Sequence, residues 1–413
     1  MVGIRSRYSH EITFYKDHDP VDLIEEFGSP LYVYCEDILR RQCRKIKTFL
    51  SYPDFRVSYS TKANSNIQLL KIIRDEGLYA DAMSPGEITA LLKAGFAGKE
   101  IFFVSNNVSS DELIFANERN ITVSVDSLSQ LNLFGNLFPG KDVAIRINPG
   151  IGAGHHKKVI TGGASTKFGI ALTDIESVHK ILVNHQLRLI GINQHIGSFF
   201  KDPEPYLAAV KALLACAENF SNLEFIDFGG GFGIPYVKQN GTEVYSINNL
   251  GRQIDKILFE WADKTGWNGT FKIEPGRFVA AECGILLGTV NSMKTLYGTK
   301  YAGTDIGFNV LSRPILYDAF HDVEIYRRSS RKSSFDEEVT IVGNICETGD
   351  IVASQRILPE LFEGDVIGIL DTGAYGFTMS SNYNLRPRPA EVLIKSSGSL
   401  QIIRERENLE DIL

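Results

Sequence analysis

Eight short β-type runs, each followed by a helical run, fill the middle of this 413-residue chain. They are Arg56–Tyr59, Tyr79–Ala82, Ile101–Val104, Ile121–Val125, Val143–Ile147, Leu189–Asn193, Phe225–Phe228 and Phe271–Ile273. Helical spacing lies between them. In Glu36–Leu50, the residues Leu39, Cys43, Ile46 and Leu50 recur as one apolar stripe. Pro85-Gly86-Glu87 opens another helix with Ile88, Leu91 and Leu92 turned inward, and Tyr206–Phe220 forms a third. Eight such alternations predict an α/β fold built on a (β/α)8 barrel. A doubly wound open sheet is the alternative; the count and the placing of the glycines favour the barrel.

After about residue 281 the texture changes. Ile285–Val290, Val323–Tyr326, Val339–Val342, Val366–Leu370, Val392–Ile394 and Leu400–Ile403 read as strands separated by turns. The chain therefore divides into a barrel over 36–280 and a mainly antiparallel β-barrel or sandwich domain over 281–413. Glu11–Tyr15 and Leu31–Tyr34, within 1–35, are also β-like and are expected to join that second domain. The charged, Ser-rich stretch Arg327–Glu338 reads as an exposed hairpin loop.

Composition narrows the function. The net charge of -7 argues against a nucleic-acid partner. No apolar run reaches the roughly 18 residues of a membrane helix, and no apolar stretch follows Arg5 and Arg7, so neither membrane nor secretory targeting is expected. The five cysteines Cys35, Cys43, Cys216, Cys283 and Cys346 are odd in number and widely spaced. That pattern fits a reducing cytoplasm better than a disulfide framework or zinc ribbon. Cys43 and Cys216 lie in apolar helices and read as buried. The adjacent His155 and His156 read as loop, and no metal site is expected.

The chemistry concentrates at strand ends. Gly229-Gly230-Gly231-Phe232-Gly233 follows the seventh β run, and Glu274-Pro275-Gly276-Arg277 follows the eighth. Phosphate sites of barrels commonly lie in these two loops, and glycine lets backbone N–H groups approach an anion closely. Lys62 lies just after the first barrel run, in Tyr59-Ser60-Thr61-Lys62-Ala63-Asn64. A partly buried lysine can form a Schiff base. Lysine plus phosphate site suggests pyridoxal 5'-phosphate, whose electron-sink chemistry uses a carboxylate at the pyridine nitrogen.

Tyr59–Asn64, His195-Ile196-Gly197-Ser198, Gly229–Gly233, Glu274–Arg277, Cys346-Glu347 and Gly373-Ala374-Tyr375-Gly376 occur in this order. With them the chain resembles the pyridoxal-phosphate decarboxylases of the alanine-racemase fold, most closely the diaminopimelate decarboxylases. The likeness runs roughly from Pro30 to Ile403. It implies that Lys62 carries the cofactor, Glu274 pairs with its ring nitrogen and His195 stacks on its face. It also implies that Ser198, Gly230, Gly231, Gly276, Arg277 and Tyr375 hold the phosphate, and that Asp81 and Arg146 are supporting polar groups around the cofactor. Cys346 would protonate the product carbon, entering from the partner subunit of a homodimer. The stretch Arg313-Pro314-Ile315-Leu316-Tyr317 looks like the diaminopimelate branch. There Arg277 and Arg313 would bind the distal carboxylate and Glu347 the distal ammonium, with Tyr317 and Tyr375 beside them. The implied reaction converts meso-2,6-diaminopimelate to L-lysine and carbon dioxide, in lysine biosynthesis.

Thr348, Asn193 and Thr372 depart from the family's usual serine, histidine and alanine. They leave room for a related or N-acylated diamino acid as substrate. Two other readings stand beside the decarboxylase. A racemase of this fold would hold the ring nitrogen with an arginine, against which Glu274 speaks. An inactive binding protein would have lost Lys62 or Cys346, and both are present.

Overall fold

A computed structural model describes residues 8–154, 156, 158, 160–163, 166–200, 202–238, 246–328 and 335–413. The described chain forms two compact units. One comprises 42–234 and 246–279; the other gathers 8–41, 235–238 and 280–413.

The first unit is the barrel. Its strands are β1 (Phe55–Ser60), β2 (Tyr79–Ala82), β3 (Ile101–Val104), β4 (Thr122–Val125), β5 (Asp142–Asn148), β6 (Arg188–Asn193), β7 (Phe225–Asp227) and β8 (Thr270–Ile273). Each pairs in parallel with the next, and β8 pairs with β1 to close the ring. A closed parallel sheet wrapped by helices is covered on both faces, which is why its strands appear as short apolar runs. All four residues of β3 are buried, and Phe102, Val104, Ala144, Ile190 and Phe225 pack as one core cluster.

Local chemistry starts the helices where the strands end. Ser84 accepts a hydrogen bond from the Glu87 amide and so caps the helix Pro85–Ala94. Ser127 does the same for Leu128–Leu137, and Ser109 with Glu112 forms a reciprocal capping box on Ser110–Asn117. Ile88 and Leu91 are buried as expected, while Leu92 is only half-buried.

The second unit is a mixed sheet with mostly antiparallel pairings. Its long strand Gly284–Leu296 pairs with Leu31–Cys35, Thr299–Thr304 and Val366–Ile369. Leu31–Cys35 also pairs in parallel with Ala390–Ile394.

Three expectations need correction. Glu11–Tyr15 is not a strand: a short helix, Tyr8–Glu11, runs into turns in which the Ile12 amide donates to the Tyr8 carbonyl and the Phe14 amide to that of Ser9, so these amides are spent locally and not on a ladder. Its apolar character comes from Phe14, fully buried, and from Tyr15, whose hydroxyl meets that of Tyr326 at 3.1 Å. The stretch Arg327–Glu338 is not a hairpin loop. Val323–Tyr326 pairs with Val366–Ile369, whereas Asp336–Val342 pairs with Thr299–Thr304 and Ile351–Pro359. Its residues 329–334 lie outside the described residues. Finally, Thr299–Thr304 and Ile351–Pro359 are strands that the sequence reading missed.

Candidate active site

The C-terminal ends of the barrel strands carry the polar groups. Lys62 follows β1 on a single tight turn, Thr61–Ala63. The turn is pinned on both sides. The Thr61 hydroxyl donates to the Asp81 carbonyl at 2.6 Å, and the Tyr59 hydroxyl donates to the Asn64 carbonyl at 3.1 Å. The Ser60 amide donates to the Pro275 carbonyl, which ties β1 to the loop after β8.

Three carboxyl groups lie within one another's field here, on β2, on β7 and just after β8, and two of them, Asp81 and Glu274, also feel the charge of Lys62. Asp81 accepts from the Ser60 hydroxyl at 2.6 Å through Oδ2, and its Oδ1 has no protein partner. Asp227 accepts the Gly229 amide at 2.9 Å through Oδ1, and its Oδ2 has none. Glu274 is 5% exposed and its Oε1 is likewise unpartnered. Burial pushes the Asp81 carboxyl up to about 7, with the Lys62 charge opposing. Burial also pushes Asp227 up to about 6, against the Gly229 hydrogen bond and the Lys272 charge. Glu274 lies well above the usual carboxylate range, through burial and then its neighbours Asp227 and Asp81, with Lys62 and Arg146 opposing. Lys272, paired in register with Asp227, is pulled down to about 8 by burial. Protons are therefore shared here among groups that cannot all ionise together.

His195, after β6, accepts the Gly230 amide at 3.1 Å through Nδ1. A bare Nδ1 puts the ring proton on Nε2. Burial, then the charges of Lys62 and Arg146, hold the imidazole well below its ordinary pKa, so it stays neutral. Arg146 donates to the His195 carbonyl at 3.3 Å, with its guanidinium over the Phe168 ring at 4.6 Å.

The glycine loop has a reason beyond anion binding. A Cβ on Gly230 would lie 2.1 Å from the Glu274 carbonyl oxygen, and one on Gly229 2.1 Å from that of Gln194. The ends of β6, β7 and β8 approach too closely for any side chain. The Gly230 amide is engaged by His195, so what Gly230 offers a phosphate is close backbone approach. Gly231 has a φ of +105° and would meet the Gly197 carbonyl at 2.4 Å. Gly276 is buried beside them, and Arg277 donates to the Ser198 hydroxyl at 3.0 Å. Lys62, Asp81, Arg146, His195, Ser198, Gly230, Gly231, Glu274, Gly276 and Arg277 thus all lie in the barrel unit. Sequence reading missed Ser60 and Asp227. The signal for Asp227 was a carboxylate inside the apolar run Phe225–Phe228.

The other predicted residues belong to the β unit. Arg313 is 2% exposed on the short helix Arg313–Tyr317, stacked 4.8 Å from the Tyr236 ring centroid. Tyr317 is half-buried at the end of that helix. Cys346 is exposed, and its amide donates to Asn384 at 3.0 Å. Glu347 accepts from the Tyr383 hydroxyl at 2.8 Å. Tyr375 is half-buried with φ at 58°. Cys43 and Cys216 are buried. No metal-binding cluster exists among the described residues; His155 lies outside them.

Comparison with known proteins gives this arrangement its class. Residues 36–281 match the family model "Pyridoxal-dependent decarboxylase, pyridoxal binding domain". The chain belongs to the pyridoxal-dependent decarboxylases. Within that family its relatives are narrower in kind. Diaminopimelate decarboxylase of Methanothermobacter thermautotrophicus is 40% identical over 404 residues, covering 96% of this chain and 93% of that one. The crystal structure of diaminopimelate decarboxylase from Helicobacter pylori complexed with L-lysine superposes with a TM-score of 0.85 at 29% identity, covering 95% and 97%. That of the M. jannaschii enzyme in co-complex with L-lysine gives 0.85 at 31%, covering 96% and 93%.

The family cofactor, pyridoxal phosphate, fits the residues found. The orphaned Oε1 of Glu274 is a buried acceptor for a ring N–H, Lys62 offers an amine beside it, and the loop after β7 presents bare backbone at Gly229, Gly230 and Gly231.

Proposed function

We propose that the chain decarboxylates meso-2,6-diaminopimelate to L-lysine and carbon dioxide. The observation that carries this reading is Glu274, a buried carboxyl with an unpartnered oxygen in the field of Lys62 and Arg146. The diaminopimelate part draws on the likeness to relatives of that name and on Arg313.

Bound pyridoxal phosphate supplies an electron sink for the pair left by a departing carboxylate. Lys62 supplies the amine that holds it. Glu274 gives a cationic ring nitrogen its counter-charge at Oε1 and so deepens the sink. The neutral imidazole of His195 covers one ring face and keeps water from it. Ser198, Gly230, Gly231, Gly276, Arg277 and Tyr375 serve the phosphate, and Asp81 and Arg146 are supporting polar groups around the cofactor. Cys346 Sγ delivers a proton to the carbon that has lost its carboxylate, since a thiol can give a proton near neutral pH. Arg277 and Arg313 take the distal carboxylate, Tyr317 and Tyr375 line its place, and Glu347 takes the distal ammonium.

Cys346 acts, in this reading, in the site of a second subunit of a homodimer. Mixing inactive Lys62→Ala with inactive Cys346→Ala subunits then restores part of the activity; no recovery after proven subunit exchange would end the shared-site reading. We infer a cytoplasmic setting from the odd number and wide spacing of the five cysteines, which suit a reducing compartment; no helix among the described residues is long and apolar enough to cross a membrane. The substrate is tested by carbon dioxide release from meso-diaminopimelate, ornithine, lysine and arginine. Release is expected from diaminopimelate far above the rest. Comparable release from ornithine or arginine would overturn the assignment.

A further inference from the structure

His321 lies eight residues after Arg313 and is 1% exposed. Its Nδ1 is 2.7 Å from the Leu370 carbonyl oxygen, and its Nε2 is 2.7 Å from Arg313 Nη1. A carbonyl oxygen can only accept, so Nδ1 carries the proton. A guanidinium can only donate, so Nε2 is the acceptor. The two contacts require the same neutral tautomer, and they leave the ring no freedom to turn over. Tyr236 completes the seat: its ring meets His321 edge-on at 5.2 Å and lies under the Arg313 guanidinium. The His321 carbonyl is itself fixed by Arg356 at 3.0 Å.

The choice of partner matters. A carboxylate at Nη1 would neutralise Arg313. A neutral imidazole fixes the plane of the guanidinium and does not itself cancel its positive charge. Fixing a donor before the ligand arrives lowers the cost of ordering it on binding.

We propose that His321 is a positioning residue that aims Arg313 at the distal carboxylate of the substrate. This rests on reading Arg313 as the group that binds that carboxylate. The partner it selects is an α-amino-acid carboxylate at the end of the substrate remote from the reacting carbon.

The test uses the holoenzyme and two amines. L-Lysine carries the distal carboxylate and cadaverine lacks it; binding of each is followed through the cofactor absorbance. In His321→Phe, which removes the acceptor and keeps a ring, the L-lysine Kd is expected to rise about ten- to a hundredfold, the range for a hydrogen bond to a charged group. Cadaverine binding should not change. In His321→Gln, whose amide oxygen can accept, L-lysine binding should recover in part, and KM for diaminopimelate should move more than kcat. Equal weakening of both ligands in both variants, or unchanged L-lysine binding, would overturn the proposal. Arg313→Ala separates the two layers. If it weakens L-lysine selectively while His321→Phe does not, positioning fails and the role of Arg313 stands. If it affects both amines alike, the reading of Arg313 itself fails.

Discussion

Glu274 at the barrel mouth and Glu391 in the β sheet are the same residue type, both almost fully buried. Their surroundings are opposite. Glu391 accepts from the Tyr34 hydroxyl at 2.6 Å through Oε1 and from Arg404 through Oε2. Its charge is matched inside the chain. Glu274 has an oxygen with no protein partner and two further carboxyls as neighbours. Burying a charge without a partner is costly, so such an arrangement persists where something outside the chain completes it. Two further acids of the β unit are likewise met by a cation, Asp365 by Arg327 and Glu282 by Lys238. The difference marks a structural charge off from a functional one.

The largest expected effect tests the functional side at its centre. Lys62→Ala should abolish turnover and the absorbance of the lysine-bound cofactor, with the circular dichroism of the folded protein retained. Steady-state decarboxylation in that variant would remove Lys62 from its role. Next comes Arg313, a buried cation bonded to a neutral histidine. Arg313→Ala should lower kcat/KM for diaminopimelate by about 30-fold to several-thousand-fold, as for truncating one partner of a buried charge pair at about 2–5 kcal/mol. Substrates without a second carboxylate should lose far less. An equal loss on every substrate would break the comparison on the β side.

The paired substitution Glu274→Gln and Glu391→Gln bears on the contrast directly. Glu274→Gln should reduce kcat by about 10²–10³-fold, the scale of losing one preorganised electrostatic contact, with little loss of apo stability. Glu391→Gln should destabilise by about 1.5–3 kcal/mol, through weakened hydrogen bonds to a charge, and leave kcat alone. Denaturant melts and kinetics on both variants would show whether the two glutamates exchange roles. The smallest effect is a pH slope. The folded Asp227 carboxyl is raised to about 6, above its ordinary value of about 3.9. The native state therefore binds the extra proton between these values, and its stability falls as pH rises through them. Asp227→Asn keeps an acceptor for the Gly229 amide and removes that loss. Relative to the parent, the apo variant should gain about 1–3 kcal/mol between pH 4 and 7; a difference that does not vary with pH would mean that Asp227 is paired like Glu391.

Barrel strands were legible because burial on both faces writes them as short apolar runs, and all eight lie within a residue or so of their expected bounds at most ends. The strands Thr299–Thr304 and Ile351–Pro359 were not. Their faces are partly exposed, so Lys300, Gln355 and Arg356 interrupt the apolar pattern. The segment 235–238, which belongs with the β unit although the barrel precedes and follows it, carries no local mark of its destination. In the site, motif residues could be read from their place at strand ends. Ser60 and His321 could not, because their meaning lies in partners distant along the chain, Asp81 and Leu370; Asp227 left only the mark of a carboxylate inside an apolar run, and its partner Lys272 is supplied by the neighbouring strand.

The strand Leu31–Cys35 is buried at every residue and lies between two neighbours, with Leu31 opposite Leu287 on one side and Ala390 on the other. On the ribosome it is the first strand made, while Gly284–Leu296 follows only after the barrel and Ala390–Ile394 nearly last. At about 5–20 residues per second, the apolar run Leu-Tyr-Val-Tyr-Cys waits roughly 20–70 s for its second flank. The barrel, made in the interval, can close while this strand is still without its sheet. The chain thus carries one sticky edge through most of its synthesis, and that interval is when a chaperone or a shortened C-terminus would matter most to its yield.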